Sequence, residues 1–206
     1  MGALALGTEP PADKLLDRRP YRRDASLINR PMWRNILIQA VYQLGLLIFL
    51  LKRGPDIFGC EDGSRHHFTI MFNAFVFCQV FNEFNAREIG DQFQPFASLD
   101  KSPAFLAVII FTIFAQWLIV EFGGDFTQTQ ELSEKEWQVT ALLGALSIPV
   151  GYIMRQVPIS EDPDSFAGEA PKGAQTKKEE TKSFSVLTLA LIPIGLGAVY
   201  QILASS

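Results

Sequence analysis

Four stretches of this chain, 33–51, 68–84, 104–122 and 137–154, each carry no more than one charged residue. Each is close to the length that carries a helix across the hydrocarbon core of a bilayer, at roughly 1.5 Å per residue. In lipid the backbone polar groups must be satisfied within the spanning structure, which for runs of this length means helices. The expected fold class is therefore all-α: a multi-pass transmembrane helical bundle with four strong helices. A charge-free run at 185–204 is a candidate for a fifth. Pro193, Gly195 and Gly197 interrupt it, so it should be kinked if it spans.

The remaining sequence fits that layout. Charges cluster between the apolar runs, and a mean hydropathy of +0.16 is high for a soluble domain. The lipid bilayer is the first partner implied. A formal net charge of −4 and the lack of a basic stripe exclude nucleic acid as a partner. Residues 1–6 are apolar but too short for a signal core, so an internal helix should direct insertion. Residues 159–184, rich in Pro, Gly, Glu and Lys, read as a disordered cytosolic linker.

Orientation follows the basic residues. Lys14, Arg18, Arg19, Arg22, Arg23, Arg30 and Arg34 precede or open the first run. Arg87, Lys101, Arg155, Lys172, Lys177, Lys178 and Lys182 fall on the same side. Only Lys52, Arg53, Arg65 and Lys135 fall on the other. The amino terminus is expected to be cytosolic, in a plasma membrane or an endomembrane.

The second run is the most polar. Gln79, Asn82 and Glu83 stand at i, i+3 and i+4, on one side of a helix. Polar groups at membrane depth usually face a bundle interior or an ion path. These three are thus ion-path or helix-packing candidates. Gln79 as a hydrogen-bonding link to a neighbouring helix competes with Gln79 beside an ion site. For Asn82, Glu83 and Asn85 the plainer reading is a structural cap near Arg87, and the sharper one makes Glu83 a proton carrier. Glu121 suits pairing at the interface better than an exit path.

No catalytic residues, phosphate-binding loop or metal-ligand spacing are present. His66 and His67 are adjacent and so face different ways on a helix. Cys60 and Cys78 are expected at different depths and unbridged. Lys177, Lys178, Lys182 and Phe184 offer part of a calmodulin target, but Glu179 and Glu180 dilute the charge, so calmodulin is only a weak expectation.

Several strings resemble a known family in the right order. Residues 3–11 (Ala-Leu-Ala-Leu-Gly-Thr-Glu-Pro-Pro), then Asp13-Lys14-Leu15-Leu16 and Arg18-Arg19-Pro20, resemble the end of the sixth helix and the next cytosolic loop of P-type calcium-transporting ATPases. The string from Met32-Trp33-Arg34-Asn35 to Tyr42-Gln43 is similar to the start of their seventh helix. Phe81-Asn82-Glu83-Phe84-Asn85-Ala86-Arg87 and Phe122-Gly123-Gly124 are similar to the plasma-membrane, autoinhibited subgroup (type IIB).

That resemblance implies a division at 1–32, the end of the sixth helix and its loop, and at 33–158, the carboxyl-terminal transmembrane domain with helices seven to ten. It implies ATP-driven calcium export by a full-length pump, with calcium, magnesium and ATP as its ligands. It also implies partners: the amino-terminal pump helices and the phosphorylation domain, which the loop 13–23 would contact. The family's Asp-Lys-Thr-Gly and Pro-Glu-Gly-Leu motifs are missing, so this stretch is expected to be a membrane scaffold without catalytic competence of its own. In the two-site reticulum pumps the position of Gln79 resembles a Glu that helps hold a second calcium. A neutral residue there implies a one-calcium cycle. The rival readings are a stand-alone regulatory membrane subunit of an ion pump and a non-functional fragment.

Overall fold

The computed structural model describes residues 7, 20–87, 99, 102–157, 159, 161–162 and 165–167. The expected end of a sixth helix, the linker at 159–184, the calmodulin-like cluster and the fifth run at 185–204 fall largely or wholly outside them. Six helical segments are described: α1 Arg30–Phe58, α2 Arg65–Ala86, α3 Pro103–Phe122, α4 Gly124–Thr127, α5 Glu134–Ala145 and α6 Ser147–Met154. Among the described residues no strand forms, only a single antiparallel bridge between Tyr21 and Phe166. The all-α bundle expected from the sequence is what folds.

Local chemistry sets the helix ends. Asn29 caps α1, accepting from the Met32 N–H at 2.9 Å, with Pro31 in the first turn. Ser64 caps α2 by accepting from the His67 N–H at 3.1 Å. Ser133 and Glu136 form a reciprocal capping box at α5.

Two boundaries differ from the sequence expectation. The first helix does not stop at 51 but runs 29 residues to Phe58, through Gly54 and Pro55, and ends at Gly59 with φ 65°. The His67 ring lies against Gly54 and bonds the Leu50 carbonyl at 2.9 Å, a buried contact that supports the helix around its proline. The fourth run, expected as one helix at 137–154, is interrupted at Leu146, which keeps helical backbone angles between Glu134–Ala145 and Ser147–Met154. Pro149 has no N–H to give Ala145, and the helix breaks at Leu146.

Arg30–Phe58, Pro103–Phe122 and Glu134–Met154 are long and apolar enough to cross a membrane. The remaining long helix, α2, has 22 residues but a more polar interior. It is also the helix the others gather round, touching α1, α3, α5 and α6. Leu46 and Leu50 of α1 pack with Ala74 and Cys78 of α2 and Val139 and Leu143 of α5. On another side Val80 meets Phe105 and Ile109 of α3. α5 comes close to α2 at Gly144, where an added Cβ would lie 2.5 Å from the Phe77 Cβ. Small residues let helix backbones approach in this way. The outward faces of α1 and α3 stay apolar, with Leu37, Val41, Leu44, Ile110, Phe111 and Phe114 exposed as lipid requires.

Candidate functional site

The polar interior lies along α2, in three levels. At the end where α2 begins, a His66 ring nitrogen lies 2.7 Å from Glu136 Oε1, while Glu136 Oε2 accepts from the Ser133 N–H and Oγ–H at 2.7 and 2.8 Å. Trp137 Nε1 donates to Glu121 Oε1 at 3.3 Å, so Glu121 pairs with the neighbouring helix. Outside the spans, burial pushes the Cys60 thiol above its ordinary pKa. The Arg22 guanidinium, bonded to Asp24 at 2.7 and 3.0 Å, holds that exposed carboxyl below its ordinary pKa.

At the middle level, Gln116 Nε2 of α3 donates to Asn73 Oδ1 at 3.1 Å. Asn73 Nδ2 donates to Thr140 Oγ1 of α5 at 2.9 Å, and Thr140 Oγ1 donates to the Glu136 carbonyl at 2.7 Å. This relay is fully internal, with Asn73 and Thr140 both 0% exposed. Nearby, Gln79 Nε2 donates to Gln43 Oε1 of α1 at 2.8 Å, and the Tyr42 hydroxyl donates to the Leu143 carbonyl at 2.5 Å.

At the end where α1 begins, Gln39 Nε2 and Asn85 Nδ2 converge on the Ser147 carbonyl, at 3.1 and 2.9 Å. Arg155, buried, donates to the Asn85 and Gly151 carbonyls at 2.7 and 2.8 Å. Arg34, also buried, donates to the Val157 carbonyl at 2.7 Å. Arg87 lies over the Phe105 ring, 4.9 Å from its centroid.

Of the residues singled out from the sequence, Gln79 is tied to α1, and Asn82 and Glu83 are half-buried on the next turn. Glu83 Oε2 is buried without a hydrogen-bond partner in the protein. Asn85 joins the break in the last helix, donating to the Ser147 carbonyl. Asn73, Gln116, Thr140, Gln39 and Ser147 were not singled out. Their signal was the one that marked Gln79: a lone amide or hydroxyl inside an apolar run. His66 and His67 go separate ways, to Glu136 and Leu50. Cys60 and Cys78 are both free.

Among the described residues no group of three His, Cys, Asp or Glu side chains converges. Calcium takes six to eight oxygens, several of them carboxylate. The Gln79–Gln43 pair offers only neutral oxygens. The site's chemistry is that of helix-to-helix hydrogen bonding, with one unpartnered carboxyl oxygen at Glu83.

A family model described as cation transporting ATPase, C-terminus, matches residues 1–157. Calcium-transporting ATPase PAT1 of Dictyostelium discoideum is 44% identical over 170 residues, 78% of this chain and 15% of that protein. Calcium-transporting ATPase 8, plasma membrane-type, of Arabidopsis thaliana is 43% identical over 170 residues, 80% of this chain and 16% of that protein. Calcium-transporting ATPase 5, plasma membrane-type, of Oryza sativa subsp. japonica is 40% identical over 182 residues, 85% of this chain and 17% of that protein. The chain thus spans 15 to 17% of the length of these curated relatives.

Proposed function

We propose, starting from the fact that this chain belongs to the cation-transporting ATPase C-terminal family, that it forms the membrane scaffold of an ATP-driven calcium pump. The observation that carries the reading is the enclosure of α2. Its amides bond α1, α3, α5 and α6 through Gln43, Gln116, Thr140 and the Ser147 carbonyl, and its neighbours offer lipid an apolar surface. Such a bundle is a rigid body against which other helices move. Calcium, magnesium and ATP are then ligands of the whole pump, and its phosphorylation domain and preceding helices are the partners.

Within that reading Gln79 lies beside the ion path as a neutral residue, which favours one calcium per cycle. The end bearing Arg34, Arg87 and Arg155 faces the cytosol, and the amino terminus with it. A chimera tests the scaffold role. This chain replaces the matching segment of a plasma-membrane-type relative, and ATP-dependent calcium uptake is measured in membrane vesicles. Uptake should be retained. A chimera that inserts and forms phosphoenzyme, yet moves no calcium, would overturn the reading.

A further inference from the structure

The break between α5 and α6 gathers three deeply buried side chains. Gln39, Asn85 and Ser147 are 4%, 2% and 0% exposed. Both amides donate to one carbonyl, that of Ser147, and this fixes which way round they stand. Turned over, either would press its oxygen against the Ser147 oxygen. Held as they are, Gln39 Oε1, Asn85 Oδ1 and Ser147 Oγ have no hydrogen-bond partner within the protein. Buried polar atoms are costly to leave so, and all three belong to residues gathered at the Ser147 carbonyl, on α1, α2 and the first turn of α6.

The chemistry of the three atoms selects the guest. Two are acceptors only, and the third is a hydroxyl able to donate. A guest that donates twice and accepts once satisfies all three. Charge narrows the choice further. The buried Arg155 guanidinium bonds the main-chain carbonyl of Asn85 itself, so a metal cation would be held against a full positive charge. An anion would face two amide oxygens. A neutral molecule with two donors and an acceptor meets neither penalty.

We propose that one structural water molecule is built into this site. It accepts from Ser147 Oγ–H and donates to Gln39 Oε1 and Asn85 Oδ1. Three hydrogen bonds are the usual complement of a buried water. It ties α1 and α2 to the turn that follows the Leu146 break, so the joint is held by solvent as well as by the Ser147 carbonyl.

The test uses the full chain, isotope-labelled in lipid vesicles, and water-edited solid-state NMR. Asn73 is the internal standard, since it is 0% exposed and both polar atoms of its amide are bonded within the protein. Magnetisation from water should reach the side chains of Gln39 and Asn85 several-fold sooner than that of Asn73. Equal, slow transfer at all three would overturn the proposal. The spectra are then repeated with potassium, sodium or choline as the only added cation. The Gln39 and Asn85 carbonyl shifts should not move. A shift specific to one metal cation would place that cation in the site and overturn the assignment to water.

Discussion

Asn73 Nδ2 donates to Thr140 Oγ1 across 2.9 Å, joining α2 to α5 where neither residue meets solvent or lipid. Replacing Asn73 by Leu breaks this bond and leaves Gln116 Nε2 without its acceptor. The expected loss is about 1–2 kcal/mol, the upper part of the range for interhelical hydrogen bonds in membranes. A lowered unfolding midpoint in detergent, followed by far-UV circular dichroism, checks it. An unchanged midpoint would mean the freed groups find equal partners elsewhere.

Gln79 is the link to α1 that also bears on transport. In a full pump, Gln79→Glu puts a carboxylate against Gln43 Oε1, where a neutral amide now donates. On the reading proposed above, calcium affinity or stoichiometry should change, and Gln43→Leu should change stability alone. Calcium titration of the phosphoenzyme reads this out. Identical curves for Gln79→Glu and the parent would remove Gln79 from the ion path.

Close packing at Gly144 makes a second structural prediction. An alanine there drives its methyl carbon to 2.5 Å from the Phe77 Cβ and 2.7 Å from the Phe77 carbonyl carbon. The helices must part, costing about 1–3 kcal/mol as overpacking does. Gly45, with open space around its added Cβ, should accept alanine without loss. Thermal unfolding of the two variants side by side measures the contrast.

Thiol chemistry separates the two cysteines by pH. Burial holds Cys60 above an ordinary thiol, so less of it is thiolate at neutral pH. Its alkylation should be slower than that of a free cysteine. The rate should keep rising at alkaline pH after the free thiol has levelled off. Cys78, 1% exposed, should stay unlabelled until the chain unfolds. Mass spectrometry after timed maleimide exposure follows both.

Topology supplies the last prediction. A tag inserted at Ala170 should be reached by protease only from the cytosolic side. Cleavage from outside in sealed vesicles, with cytosolic markers intact, would invert the orientation.

The helices were legible because lipid permits so little else: an apolar run of this length must be helical. Their ends were less so. The first apolar run ends at 51, yet α1 continues through Lys52, Arg53, Gly54 and Pro55. Chain-neighbour chemistry says nothing of His67, a contact from another helix that bonds Leu50 there. Pro149 lies inside the fourth run, and the sequence alone does not say whether a helix bends or breaks there. The polar site was half legible. Gln79 stood out by position, and its partner Gln43 did not, because which faces of α1 and α2 meet is decided by the packing of Leu46 and Leu50 with Ala74 and Cys78. Asn85 reads from the sequence as part of a cap near Arg87, whereas the fold ties its side chain to the Ser147 carbonyl and its main-chain carbonyl to Arg155.

The enclosure of α2 also bears on biogenesis. Its amides are satisfied only once four neighbours surround them, so this segment on its own is a poor customer for the insertion machinery. It should linger at the translocon until later segments emerge and escort it into the bilayer. Damage to its partners would then surface as failed assembly and disposal by quality control, long before any defect in ion movement could be scored.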